Sequence, residues 1–132
     1  MGSGRFYRLL GTGLLTAALC VSPAAAECLH ANTDGQVAEG KLRVGRFTDG
    51  MGRPEQAYIL QLRARVCLDG SDQDNKVDRS RTIHIFATDT ATQRRLQSLV
   101  GKTIRVSGNP FVAHTVHHHA PIVLRVTKID AP

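Results

Sequence analysis

Four imidazoles within one short segment, His114, His117, His118 and His119, are the side chains of this sequence best suited to chemistry. Imidazole is a common ligand for zinc, copper and nickel, and it binds as the neutral base, so no anionic group has to be deprotonated first. On an extended chain, residues two apart share a face, which points His117 and His119 the same way. A turn between them and His114 would let a third ring converge. The metal expectation is therefore a zinc or copper site of His114, His117 and His119. No carboxylate lies within Asn109–Pro121 to complete a two-histidine, one-carboxylate set. The competing expectation is that the rings hydrogen-bond nearby carbonyls, pack against the rim of the fold, or face a protein partner. In either case the patch would change charge near the ordinary imidazole pKa of about 6.5.

Elsewhere the chemistry is thin. Serines and threonines occur without a Gly-x-Ser-x-Gly turn. His84 has the right type for a general base, but no carboxylate stands at a recognisable spacing from it. Ala87-Thr88-Asp89-Thr90 opens the one helical segment, so no glycine-rich phosphate cradle precedes it. Asp69, Asp72, Asp74 and Asp78 hint at calcium. Lys76 falls inside that series and no closing Glu follows, so a solvated loop is the better reading. These residues exclude the common hydrolase signatures and favour a non-enzymatic binding role.

The N-terminus sets the compartment. Arg5 and Arg8 precede the apolar run Leu9–Val21, and Ala24-Ala25-Ala26 has the small residues that signal peptidase accepts. Basic, apolar, small, in that order, is the pattern of a secretory signal. The expectation is residues 1–26 as signal peptide, cleavage after Ala26, and a periplasmic or secreted domain over 27–132. The apolar run is too short to span a bilayer, and Leu19 before Cys20 does not fit a lipoprotein signal.

Cleavage leaves Cys28 and Cys67, which in an oxidising compartment make one disulfide. Closing that loop stabilises the fold by about 4 kcal/mol on chain-entropy grounds. The spacing is not the close Cys-x-x-Cys of thiolate metal sites. Without Arg5 and Arg8 the charge is 15 Lys+Arg against 11 Asp+Glu, +4 instead of +6. That excess is mild, and the chain has no Trp, so nucleic acid is not the favoured partner.

The elements that must position the histidines follow from alternation. Within Val37–Phe47, Leu42 and Val44 are set against Lys41, Arg43 and Arg46. Tyr58, Leu60, Leu62, Ala64, Val66 and Leu68 share one parity, with Gln61, Arg63 and Arg65 on the other. Both patterns read as strands with one face in the core. Asp69–Ser80 reads as a polar loop, and Thr82–Ala87 as a third strand with Ile83, Ile85 and Ala87 inward. Thr90 and Gln93 have capping-box spacing, Leu96, Leu99 and Val100 form an apolar stripe, and Gly101 stops the helix. Ile104 and Val106 mark a fourth strand, and Ile122, Leu124 and Val126 a fifth. The order β-β-β-α-β-β is that of an OB-like five-stranded barrel, a mainly β fold with one short helix. The histidines then lie on the hairpin between its last two strands.

The run Leu99–Gly108, then Phe111, Ala113-His114-Thr115 and His117-His118-His119-Ala120-Pro121-Ile122-Val123-Leu124, resembles a bacterial family termed domain of unknown function 4431. The resemblance covers Leu96–Ile129 and rests on a hairpin of the form Ala-His-Thr-x-His-His-His-x-Pro. Val116 stands where the family pattern carries a small residue, often Gly. The resemblance implies a small exported domain and brings no activity with it.

Three functional expectations result. The first is a binding module that recognises a protein or cell-envelope ligand through the hairpin, one form being an inhibitor or immunity-type protein. The second is a zinc- or copper-binding protein. The third is an oligosaccharide or single-stranded nucleic-acid binder, using Arg63, Arg65 and Phe86 on the outer barrel face.

Overall fold

The computed structural model describes residues 2, 11, 13–19 and 27–131. Arg5, Arg8, Cys20 and the Ala24–Ala26 pattern lie outside the described residues. Within them the elements are β1 (Leu29–His30), β2 (Gln36–Thr48), β3 (Pro54–Asp69), β4 (Val77–Phe86), α1 (Thr90–Ser98), β5 (Thr103–Val112) and β6 (Ile122–Asp130), with a short 3₁₀ turn at Gln73–Asn75.

Five strands close on themselves in the order β3-β2-β5-β6-β4, with β4 returning to β3. All neighbours are antiparallel except β4 and β6, which run parallel with Ile83 opposite Ile122. α1 lies in the connection between the third and fourth barrel strands, and with it the topology is that of the OB-like barrel. Inward residues of every strand meet in one core. Leu42, Leu60, Ile83, Ile85, Ile104, Ile122 and Leu124 are all at most 1% exposed. Burying each such side chain contributes about 1.5–3 kcal/mol. Leu96 of α1 and Leu99, its C-cap, join the same cluster.

Two local features differ from the sequence reading. The polar stretch Asp69–Ser80 is not all loop: Asp69 ends β3, and Val77–Ser80 belong to β4, with Leu68 opposite Val77 and Val66 opposite Ser80. Irregular register between Gln61 and Leu68 bends this ribbon. Asp78 and Arg79 face water, whereas Ser80 is buried and donates to the Thr82 carbonyl, so no apolar alternation marks this part of the strand. The same irregularity leaves Ala64 exposed despite its parity. The helix is capped one residue early. Asp89 accepts from the Thr92 backbone N–H at 2.8 Å, while Gln93 reaches back to the Ala87 carbonyl at 2.9 Å. Val100, expected in the apolar stripe, is 40% exposed.

Cys28 and Cys67 form a disulfide with Cα atoms 4.4 Å apart. It joins the start of the domain to β3 beside the short parallel pairing of Leu29 with Leu68.

Candidate functional site

Register places one row of outward residues across the whole barrel. Phe111 on β5 is opposite Val123 on β6, Val123 opposite His84 on β4, His84 opposite Ile59 on β3, and Ile59 opposite Arg43 on β2. Val123 is outside the core cluster, yet nothing of it is exposed. The segment from Ala113 to Pro121, closed by the Ala113 N–H donating to the Pro121 carbonyl at 3.0 Å, folds back and covers it. The histidines are therefore laid over the outer barrel face.

Each imidazole has its own work. The His118 ring fills the inside of the turn, where its Nδ1 accepts from the backbone N–H of His114 at 3.0 Å and of Thr115 at 3.3 Å. An accepting Nδ1 leaves the proton on Nε2. Burial, followed by the neighbouring His114, keeps this ring below its ordinary pKa. His84 does the same from β4, its Nδ1 accepting from the His119 backbone N–H at 3.2 Å. Burial first, then the charges of His119 and His118, pull His84 down to about 4. Two of the rings are thus held neutral as hydrogen-bond acceptors.

The other contacts cross from hairpin to hairpin. Glu55, at the start of β3, accepts from His117 Nδ1 at 2.8 Å through one oxygen and from His119 Nε2 through the other. His117 first, then His119, holds the Glu55 carboxyl below the usual carboxylate range. The His119 ring stacks on Phe47 of β2, centroids 4.2 Å apart and nearly coplanar. A Cβ on Gly50 would lie 3.1 Å from Val116, so the β2–β3 turn and the histidine hairpin touch at their tips. Asp49 stiffens that turn by accepting from the Met51 and Arg53 backbone N–H groups and from Arg53 Nε, all within 2.9 Å. His114 remains at the exposed edge, its Nδ1 donating to the Val112 carbonyl at 3.0 Å and its ring against His118 and Phe111. Beside it lies an open cleft of about 460 Å³ lined by Asn32, Asp74, Asn75 and Phe111 to His114.

Of the residues expected from sequence, Phe86 joins this cluster edge-on to Phe111, while Arg63 and Arg65 lie exposed on β3. Glu55 supplies the carboxylate that the hairpin lacks. Its two oxygens are each taken by a different imidazole, and His114 faces Val112 and His118 instead. Among the described residues no group of three or more His, Cys, Asp or Glu is arranged to hold a metal ion. Glu55 and Phe47 were not foreseen. The OB-like strand order was the available signal, because it sets the β2–β3 turn beside the β5–β6 hairpin.

Residues 82–130 match the family described as Domain of unknown function (DUF4431). The matched segment takes in the second half of β4, the helix, β5, the hairpin and β6. Phe47, Gly50 and Glu55, which clamp the hairpin, fall before it. No curated protein matches the chain.

Proposed function

We propose that this chain is an exported, non-enzymatic OB-like module that recognises a protein partner of the cell envelope at its paired loop tips. One observation carries this reading. The two turns are locked together through Glu55, Phe47 and the Gly50–Val116 contact, and their tips expose Met51 (80%) and Val116 (59%). Large apolar side chains on a preorganised surface are suited to protein recognition, because little conformational freedom is lost on binding. His114 and His117 flank them as exposed polar groups with an Nε2 available to a partner.

The reading is tested by affinity capture from an envelope extract. The bait is the wild-type protein, a Met51→Asp/Val116→Asp variant, or a His114→Ala/His117→Ala variant. His118 and His119 are left intact because they hold the hairpin itself. A partner retained by wild type and lost with the loop-tip variant is the expected result. Retention of the same partners by both variants overturns it.

A further inference from the structure

The outer face of β2, β3 and β4 beyond the histidine hairpin carries a second feature. Two open grooves, about 360 and about 600 Å³, meet at Gln61. Ile59, Leu62 and Val66 contribute an aliphatic lining, and Arg43, Lys41, Arg63 and Arg81 supply the charge. Register explains the gathering: Lys41 and Arg43 alternate outward on β2, with Gln61 opposite Lys41 and Thr82 opposite Gln61. Among the described residues none of these four cations forms an ion pair. Arg43 Nε donates to Gln61 at 2.6 Å, a neutral partner that orients the guanidinium and leaves its charge uncompensated. The one carboxylate lining the trough, Glu39, is already taken by Arg105 at 2.9 Å.

The geometry points to this trough as a binding site for an acidic polysaccharide, a linear chain of carboxylate-bearing sugars. Guanidinium groups suit planar oxyanions, which they engage through two parallel N–H donors. Gln61, Thr82 and Thr103 add neutral donors and acceptors suited to hydroxyl groups. One other polyanion fits less well. No aromatic side chain lines either groove, so a single-stranded nucleic acid would find no stacking platform. The trough excludes the hairpin tips, so the loss of either activity leaves the other to be measured.

The test is equilibrium binding of the full protein to oligogalacturonate, with oligothymidylate, polyglutamate and neutral dextran as competing probes. A Lys41→Glu/Arg63→Glu/Arg81→Glu variant is compared with Arg94→Glu/Arg95→Glu/Lys128→Glu, which removes the same charge from α1 and β6. Thermal melting confirms folding, and Arg63→Gln/Arg81→Gln serves if the trough triple variant does not fold. The expected result is oligogalacturonate binding that weakens about tenfold or more in the trough variant, and about twofold or less in the remote one. Equal loss in both variants, equal or tighter binding of oligothymidylate or polyglutamate, or no binding of oligogalacturonate overturns the proposal.

Discussion

Acid should loosen this fold through His84 before any carboxylate titrates. The neutral ring accepts the His119 N–H, and a proton on Nδ1 would turn that acceptor into a second donor. With the folded pKa drawn down to about 4 from 6.5, the stability that His84 contributes is fully present above pH 6.5. It is lost as pH falls from there towards 4. At pH 5 an unfolded imidazole is charged and the folded one is not, a difference of about 2 kcal/mol, reduced to about 1 kcal/mol for a half-buried ring screened by solvent. The comparison is urea unfolding of wild type and His84→Asn at pH 7.5, 6 and 5. Asn keeps an acceptor near the Nδ1 position but does not titrate, so it lowers the absolute stability without the pH slope. Wild type should lose about 1 kcal/mol more than the variant between pH 7.5 and 5, a difference of roughly 4 °C in melting temperature. His118, also held below its ordinary value, adds to the slope in both proteins and cancels. Equal losses in wild type and variant would refute the reasoning.

Glu55 works in a lower window. Its folded pKa is depressed, so its contribution is present above about pH 4.5 and lost as pH falls further. Glu55→Gln at neutral pH should raise amide exchange across 114–119 while leaving the β2–β3 and β5–β6 ladders protected; unchanged exchange in the hairpin would contradict the clamp. Replacing Cys28 and Cys67 by Ser should lower unfolding stability by about 4 kcal/mol for a loop of this span, measured in urea. Gly108→Ala places a Cβ 2.0 Å from the Arg125 carbonyl oxygen, so a loss of about 2 kcal/mol or more is expected by the same assay. Zinc titrated calorimetrically into the native protein should bind no tighter than about millimolar, since His117 and His119 each already hold one Glu55 oxygen; micromolar binding abolished by His117→Ala would instead support the metal reading.

The legible and illegible parts of this chain divide by the range of the interaction. Alternation at Leu60 and Leu62, at Ile83 and Ile85, and at Ile122 and Leu124 is local, and the buried faces follow it. The element order then carried the barrel, because a helix between the third and fourth strands suits few other closed sheets. Val77–Ser80 escaped because its buried residue is the polar Ser80 and the register opposite it shifts, so no apolar period is left to read. At the site, four histidines in six positions were obvious, but their roles were not. Whether an imidazole is acceptor, charged partner or open surface depends on what the barrel sets against it. His118 meets two backbone donors, His119 meets Phe47 and Glu55, and both latter residues lie more than sixty positions away.

That long-range clamp also divides the barrel's outer face in two. Phe111, Val123 and His84 begin a row that Ile59 and Arg43 complete, yet the hairpin covers the first three and leaves the last two beside the open cationic trough. The covered half contributes rigidity: two rings held as hydrogen-bond acceptors, stacked aromatics and a carboxylate shared between two imidazoles. Met51 and Val116 owe their fixed presentation to it. The open half keeps its charge because the carboxylate that lines it, Glu39, is spent on Arg105.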